Sequence, residues 1–250
     1  MQLIVYDNSP QPLPAGTVEA LEHYHHDPLN GGLVSAYNFA LGFCEERSIE
    51  WLLLLDQDSS IPQDYLLQFN KCLSSATSDC VAFVPKVRIK GRISSPKRFI
   101  FSRPRLNVAA SSSGPVREEI VAINSGMFVR VGHLRQRGGY PKHYRLDAVD
   151  FWFCADAYAS GKHLFILDVV VEHTLSIRDM ASVSLERWES IASSDADFTI
   201  EMRSSRATRL IAAMEGLTYS AFLLAKGYPR HARTRLKHAA RVAKSLWRRG

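Results

Sequence analysis

Hydrophobic runs and apolar positions at helical spacing predict alternating strands and helices over the first third of the chain. Residues 2–6 form a short β-type run that ends at a turn cluster, Asp7-Asn8-Ser9-Pro10. Over residues 33–44 the apolar side chains recur every three or four positions, which predicts a helix opened by Asn30-Gly31-Gly32. Residues 51–55 are apolar without interruption, as is typical of a strand buried on both faces of a parallel sheet.

The pattern continues with a helix from Pro62 to about Ser74 and a buried strand over residues 80–84. A further helix begins near Asp147, and residues 164–171 read as a buried strand that ends at Glu172-His173. Strands and helices in alternation are typical of an α/β fold, whose ligand sites lie at the carboxyl ends of the strands. We therefore expect a Rossmann-like, mostly parallel sheet flanked by helices.

The last third of the chain shows the apolar spacing of helices. One apolar stripe stops at Gly227 and Pro229, residue types that end helices, and another follows His231. The first stripe comprises Leu210, Ala213, Met214, Leu217, Ala221 and Leu224, and the second comprises Leu236, Ala239, Ala240, Ala243, Leu246 and Trp247. We divide the chain into an α/β domain over residues 1–190 and a helical C-terminal region over residues 191–250.

Residues 86–117 differ from their surroundings because they carry nine Lys and Arg residues and no acidic residue. They include the polar run Ser111-Ser112-Ser113-Gly114. This composition favours a basic flexible loop exposed to solvent. A second interpretation is a mobile basic flap over an anionic substrate.

The composition is that of a globular protein: of 250 residues, 46% are hydrophobic and 22% are charged. The four cysteines show no CxxC pair and no metal-finger spacing, which favours a reducing cytoplasm. We expect no signal peptide, because the first residues have no basic start and no long apolar stretch. No apolar run approaches the roughly 20 residues that span a bilayer.

The net charge of +6 is unevenly distributed. Nine basic residues and no acid lie between Lys226 and the end, so the preceding 225 residues carry a net charge of −3. We expect no nucleic-acid partner, because such binders usually spread basic charge over the binding face. A basic helix with an apolar face can lie on an anionic membrane surface, which makes residues 231–250 a candidate membrane contact. The alternative is a helix packed on its own domain with a solvated basic side.

Asp56 and Asp58 follow the apolar strand directly and are the strongest chemical signal in the sequence. Two carboxylates beside a buried sheet are unfavourable unless a cation or a proton neutralises them. A divalent ion, Mg²⁺ or Mn²⁺, held by these carboxylates and by substrate phosphates would meet that demand. The alternative is a surface turn in which one aspartate caps the helix at Pro62.

Two weaker signals point to a ligand at the same edge of the sheet. Asp7 also ends a strand, where it could accept hydrogen bonds from a nucleotide base or ribose. Its alternative role is to form a turn with Asn8. The glycines in Asn30-Gly31-Gly32 would allow the backbone to approach a ligand closely.

Taken in order, these motifs resemble the inverting family 2 glycosyltransferases, which have the GT-A fold. The resemblance rests on Asp7-Asn8-Ser9, on Asn30, Gly32, Ala36 and Asn38, and on Leu55-Asp56-Gln57-Asp58-Ser59. It is most similar to the bacterial rhamnosyltransferase branch in Asp56-Gln57-Asp58-Ser59, in Asn124-Ser125-Gly126 and in the run from Leu146 to Trp152. The resemblance covers residues 1 to about 190.

The resemblance implies a role for each motif. The donor nucleotide would be bound by Asp7, Asn30, Gly32 and Asp56, and the metal by Asp56, Asp58 and His173. Asp150 would be the general base, with Ser125, Gly126 and Trp152 on the acceptor side. Members of the family usually have one more β-strand before the strand that matches residues 2–6.

The activity implied is metal-dependent transfer of a sugar with inversion at its anomeric carbon. The sugar would be rhamnose or another deoxyhexose, carried by a dTDP- or UDP-sugar donor. The acceptor would be a cell-surface glycan or a lipid-linked saccharide, reached from the cytoplasm or from the inner face of the membrane.

Two other functions compete with this one. In phosphohydrolases of the haloacid-dehalogenase type, Asp56 would be the nucleophile and Asp58 the acid or base. A strand and a helix precede the acidic turn here, whereas those enzymes place that strand first. The other alternative is a degenerate, non-catalytic glycosyltransferase-like binding domain.

Overall fold

The computed structural model describes residues 2–18, 21, 23–100, 103–107, 113–173 and 183–247, and its fold is α/β with a helical C-terminal region. The strands are β1 (Ile4–Asp7), β2 (His23–His26), β3 (Trp51–Leu54), β4 (Ser59–Ser60), β5 (Cys80–Ile89), β6 (Arg92–Ser95), β7 (Lys97–Ile100), β8 (Arg103–Asn107), β9 (Gly114–Val116), β10 (Ile120–Val121), β11 (Met127–Arg130) and β12 (His163–His173). The helices are α1 (Ala15–Val18), α2 (Leu33–Glu46), α3 (Tyr65–Leu73), α4 (Val131–Gln136), α5 (Val149–Ala159), α6 (Leu185–Met202), α7 (Arg206–Ala225) and α8 (Pro229–Ser245).

A seven-stranded sheet forms the centre of the α/β part. Its main path is β3-β11-β5-β12-β4, with β6 paired to β5 and β9 paired to β12. The long strands β5 and β12 are parallel, whereas β11 lies antiparallel between β3 and β5. Strands β3, β5 and β12 therefore run in one direction within a sheet that is mixed.

Helices cover both faces of this sheet because the central strands bury alternate side chains on opposite sides. On β5, Ala82 and Val84 face the larger core, which α2 and α5 complete. Phe83 faces the other way, into a smaller core under α3. There the ring of Phe69 stacks on that of Phe128 with centroids 3.7 Å apart. Burial on both faces explains the unbroken apolar runs of these strands.

Strands β1 and β2 form a separate two-stranded parallel sheet. It packs on the outer side of α2, where Phe39 contacts the rings of Tyr6 and His25. Among the described strands β1 pairs with β2 alone. Asp7 ends a strand as predicted, but this strand belongs to the small sheet with β2 and not to the main sheet.

Residues 86–117, predicted as a loop, carry five strands or parts of strands over their described residues. Beyond Pro85, strand β5 alternates in burial: Val87 and Ile89 point inward, while Lys86 and Arg88 point outward. The outward cations meet acids on β12, with Lys86 2.7 Å from Asp168. The count of charged residues did not reveal this alternation, which the buried apolar residues Val87 and Ile89 show.

Helices α6, α7 and α8 form the C-terminal layer, and the domain boundary predicted at residue 190 lies inside α6. The buried face of α8 comprises Ala232, Arg235, His238, Ala239, Val242 and Ser245, whereas Leu236 and Trp247 of the predicted stripe are exposed. Among the described helices, none is long and apolar enough to cross a membrane.

Acidic residues of α6 pair with much of the basic charge of α8. Arg235 lies 2.7 Å from Asp195, and Lys237 and His238 lie 2.6 and 2.8 Å from Glu189. Arg241 pairs with Asp197. The described part of the basic tail is thus packed on its own domain, in part through its basic side, and a membrane contact of residues 231–250 stays a prediction.

We predict opposite effects on stability from two glycine substitutions in and beside α2. Gly32 precedes the helix with φ +85°, and an added Cβ would lie 2.5 Å from the Arg145 carbonyl oxygen. Gly42 lies inside the helix with open space at its Cβ position. Gly32→Ala should lower the free energy of unfolding by about 2 kcal/mol. Gly42→Ala, the matched control, should raise it by about 0.5–1 kcal/mol.

Urea unfolding followed by circular dichroism measures both variants. A stability loss confined to Gly32→Ala is the expected result. Equal changes in the two variants would contradict the close approach of backbone at Gly32.

Candidate active site

The pairing of β4 with the end of β12 places the acidic turn of residues 55–58. Ser59 lies opposite His173, and Ser60 lies opposite Glu172, in an antiparallel ladder. The turn begins where β3 leaves the sheet and ends where β4 joins β12. A histidine more than 100 residues away along the chain is thereby brought beside the two aspartates.

Asp56, Asp58 and His173 each offer one ligand atom, and these atoms all lie within 4.8 Å of one another. His173 Nδ1 lies 3.4 Å from Asp58 Oδ1 and 2.9 Å from Ser59 Oγ. Burial raises the pKa of Asp56, and the negative charge of Asp58 adds to the rise, while His173 opposes it. The grouping that the sequence resemblance implied is present in the structure.

This donor set fits a divalent cation. Two carboxylates and an imidazole suit an ion such as Mn²⁺, and a carboxylate pair also suits Mg²⁺. Three protein ligands leave positions for phosphate oxygens or water in an octahedral shell. A cation would also offset the burial, and the lesser repulsion by Asp58, that raise the pKa of Asp56.

Two serines connect the members of this cluster, and sequence reasoning gave no role to one of them. Ser59 Oγ hydrogen-bonds both His173 Nδ1 and Ser125 Oγ. Ser125, which is completely buried, also hydrogen-bonds the Asp56 carboxylate. Ser125 therefore supports the acidic cluster, and its role on the acceptor side stays a prediction. The sequence feature that could have indicated Ser59 is its position directly after the acidic motif.

Gly126 allows the turn that carries Ser125 to pack tightly. Its φ is +80°, and an added Cβ would lie 3.0 Å from Pro85 Cγ. Its N–H donates to the Leu54 carbonyl over 2.8 Å, and its own carbonyl accepts from the Tyr65 hydroxyl. The turn is thereby fixed to the end of β3, immediately before the acidic residues.

Asp150 lies in the first turn of α5, where its carboxylate accepts a hydrogen bond from the Phe151 N–H over 3.0 Å. Burial raises the pKa of Asp150 to about 7, although its hydrogen bonds with backbone N–H groups oppose the rise. The charges of Asp147 and Asp56 raise it further, so Asp150 lies within electrostatic reach of the metal-ligand group. Such a carboxyl can gain or lose a proton near neutral pH.

Asp147, three residues before Asp150, does not cap α5. It pairs with Arg187 of α6, whose Nη2 lies 2.6 Å from Asp147 Oδ1, and it accepts from Ser190 over 3.1 Å. The residue before α5 is Ala148, which has φ +62°. The helix that the sequence predicts to begin near Asp147 thus begins at Val149, and the Asp147 carboxylate is bound by α6.

Two tyrosine hydroxyls beside these carboxyls were missed as site candidates. Tyr37 and Tyr140 are buried, and their hydroxyls have no hydrogen-bond partner among the described residues. Burial raises the pKa of Tyr37 well above its usual value, with contributions from Asp56 and Asp150. The sequence presented Tyr37 as one member of a helical apolar stripe. Unpaired buried hydroxyls commonly bind water or ligand.

Asp7 has a structural task in this fold. Its carboxylate accepts from the Ser9 N–H over 2.9 Å and from the Tyr24 hydroxyl over 2.6 Å. These hydrogen bonds hold the pKa of Asp7 well below its usual range. These contacts agree with the alternative role of Asp7 as a turn-forming residue. Binding of a donor nucleotide by Asp7 stays a prediction.

Asn30 and Gly32 hold the loop that leads to α5. The Asn30 carbonyl accepts from the Arg145 guanidinium, and the Arg145 carbonyl accepts from Val34 N–H over 3.3 Å. The close approach that Gly32 permits is therefore to protein backbone. Binding of a nucleotide by these two residues stays a prediction.

Trp152 is a core residue, 8% exposed, with its ring 5.9 Å from that of Tyr140. Two positions along a helix rotate a side chain by about 200°, so Trp152 and Asp150 lie on opposite sides of α5. The packing gives no support to the placement of Trp152 on the acceptor side.

The described structure is similar to the crystal structure of GalNAc-T7 with UDP, GalNAc and Mn²⁺. The TM-score is 0.64 and the sequence identity is 11%, over 86% of this chain and 44% of that chain. At this identity the likeness shows the fold alone, which is the GT-A-like α/β fold that the sequence predicted. The chain spans less than half the length of that protein. The sequence matches no family model and no curated protein.

We predict that Asp150→Asn stabilises the protein in a pH-dependent manner. The pKa of Asp150 is raised from 3.8 to about 7, so the folded protein holds this proton more tightly than the unfolded chain does. Ionisation therefore destabilises the fold as the pH rises from about 4 to about 7. Because asparagine does not ionise, Asp150→Asn should raise the free energy of unfolding negligibly at pH 4 and by about 2 kcal/mol at pH 8. This is half of the free energy that corresponds to the full pKa shift, because the side chain keeps some solvent contact.

Chemical unfolding at pH 4, 6 and 8 measures this difference. Asp64→Asn, which changes the exposed aspartate at the N-terminus of α3, is the control for the loss of one carboxylate. A gain for Asp150→Asn that is the same at every pH would refute the raised pKa.

Proposed function

We propose that this protein is a metal-dependent glycosyltransferase that takes its sugar from a nucleotide-sugar donor. The observation that carries the proposal is the convergence of Asp56, Asp58 and His173, with Asp150 within electrostatic reach of Asp56. The similarity in fold to a protein whose crystal structure holds UDP, GalNAc and Mn²⁺ supports it. A set of metal ligands beside a carboxyl of pKa about 7 provides the two groups that such a transfer requires.

Asp56, Asp58 and His173 would hold the divalent ion, Mn²⁺ or Mg²⁺. When bound, the ion supplies stabilisation of the negative charge that develops on the leaving diphosphate. Ser125 keeps the Asp56 carboxylate in place by a hydrogen bond, and Ser59 does the same for the His173 ring. Since Ser125 is completely buried, these ligand side chains are held in position before any substrate arrives.

Asp150 would act as the general base. As the acceptor hydroxyl attacks the anomeric carbon, its proton passes to the Asp150 carboxylate. A carbon–oxygen bond forms to the acceptor while the bond from that carbon to the diphosphate oxygen breaks, and the electron pair leaves with the diphosphate. Because attack comes from the opposite face in one displacement, the anomeric centre is inverted.

The finer identity of the substrates rests on the sequence motifs. The likeness of Asp56-Gln57-Asp58-Ser59 and Asn124-Ser125-Gly126 to rhamnosyltransferases of family 2 supports rhamnose or another deoxyhexose as the sugar. On the same grounds we propose a dTDP- or UDP-sugar donor and a cell-surface glycan or lipid-linked saccharide as acceptor.

A cytoplasmic location, with contact to the inner face of the membrane, belongs to the same proposal. Only the basic sequence of residues 231–250 supports the membrane contact. The ion pairs between α8 and α6 leave fewer basic side chains for lipid headgroups.

We predict that Asp58→Ala weakens the Mn²⁺-dependent binding of a nucleoside diphosphate by about 10- to 100-fold, because one metal ligand is lost. Calorimetric titration of UDP and dTDP, each with and without Mn²⁺, measures the effect and identifies the preferred base. Asp64→Ala, which removes an exposed carboxylate, should bind as the wild type does. Equal Mn²⁺-dependent affinity of Asp58→Ala and the wild type argues against a metal at this turn.

We predict that Asp150→Asn abolishes sugar transfer, with a loss of about 10²- to 10⁴-fold in turnover, because an amide cannot accept the proton. Donor binding should change little, since Asp150 is not among the metal ligands. Release of nucleoside diphosphate from dTDP-rhamnose and UDP-sugars, with a panel of glycan acceptors, is the measurement. In the wild type the rate should fall as the pH drops below about 7, where Asp150 is protonated. Turnover by Asp150→Asn at the wild-type rate would eliminate Asp150 as the base.

A further inference from the structure

Helix α7 has one face packed against α8 and a second, apolar face in solvent. The packed face contains Ala213, Gly216, Ser220 and Leu223, and the absence of a side chain at Gly216 lets Ala239 of α8 approach closely. On the outer face, Leu210 and Leu217 are each 49% exposed, Met214 is 56% exposed and Leu224 is 58% exposed. Four large apolar side chains of this row are thus about half exposed, and the rings of Tyr219 and Phe222 are exposed on α7 outside the row.

The spacing of this face follows a heptad repeat. Exposed residues recur on this face at alternating steps of three and four positions: Ala207, Leu210, Met214, Leu217, Ala221 and Leu224. We call this set of residues the α7 seam. Leucine occupies every second position of the seam, and Ala, Met and Ala occupy the others. This 3.5-residue spacing is the signature of helices that pack side by side, knobs into holes. The seam is about 27 Å long at 1.5 Å per residue.

We propose that the α7 seam is the contact between two copies of this chain, with the two α7 helices packed along their seams. The heptad spacing favours another helix as the occupant, because a flat surface or a lipid layer imposes no such period. The small residues Ala207 and Ala221 allow the two helices to approach closely near both ends of the seam, and leucines can then fill the gaps on the other helix.

The charge of the surface favours a second copy over other partners. The seam itself contains no charged residue, and the positions that flank it on one side, Ile211, Thr218 and Ala225, contain none either, while Arg206 flanks its N-terminal end on the other side. A face without charge does not repel its own copy, and two identical faces can meet about a two-fold axis. A helix that lies on an anionic membrane carries basic residues along both edges of its apolar face, whereas Arg206, at one end, is the single basic residue that flanks the seam.

The proposal is tested by the oligomeric state of the full chain in solution. Sedimentation velocity from 1 to 100 µM should show a concentration-dependent dimer for the wild type. Leu217→Glu places a charge at the centre of the seam and should raise the dimer dissociation constant by at least about 100-fold. Leu67→Glu is the matched control, because Leu67 is a 55% exposed leucine on α3, and it should sediment as the wild type does.

Circular dichroism of Leu217→Glu should match the wild type, because the side chain is exposed in the single chain. If this variant fails to fold, the concentration series of the wild type still decides. A wild type that is monomeric at 100 µM, or a dimer that persists in folded Leu217→Glu, overturns the proposal. Monomeric wild type that binds phosphatidylglycerol vesicles, with binding lost in Leu217→Glu, overturns it in favour of a membrane contact.

Discussion

The candidate site depends on a short backbone ladder, the pairing of Ser59 and Ser60 with the last two residues of β12. Before this ladder the chain leaves β3 and makes the acidic turn, and after it the chain enters α3. Strand β12 is itself fixed by its long parallel pairing with β5, which is buried on both faces. The rigidity of the core is thereby passed to the positions of Asp56, Asp58 and His173.

Burial of negative charge governs the chemistry of the site. Asp56 and Asp150 both have raised pKa values, chiefly because protein surrounds them. The charge of Asp58 adds to the rise for Asp56, and the charge of Asp56 adds to the rise for Asp150. Hydrogen bonds from Ser125 and from the first turn of α5 offset part of the cost of burial. Two carboxyls whose environments differ can hold different protonation states at one pH. One can then bind a cation while the other exchanges a proton.

The C-terminal helices show how tertiary contacts redistribute charge and apolar surface. Helix α8 places Arg235, His238 and Arg241 against acids of α6, so part of the charge of a strongly basic sequence is paired. Helix α7 buries Ala213, Gly216, Ser220 and Leu223 and leaves Leu210, Leu217 and Leu224 about half exposed. Ion pairs of the basic tail therefore help to hold the C-terminal helices together. The exposed apolar residues of the α7 seam lie on a different helix from this basic charge.

The sequence by itself determined the α/β fold class, most of the buried strands and helices, and the position of the acidic turn, because hydrophobic periodicity and the spacing within one motif are local. It also indicated Asp150 and His173, through the order of motifs along the chain. The strands within residues 86–117, the detachment of β1 from the main sheet and the core position of Trp152 depended on packing. Only the tertiary structure decided which side chains share a hydrogen bond or a charge, since Ser59, Ser125 and His173 meet through strand pairing between residues far apart in the chain.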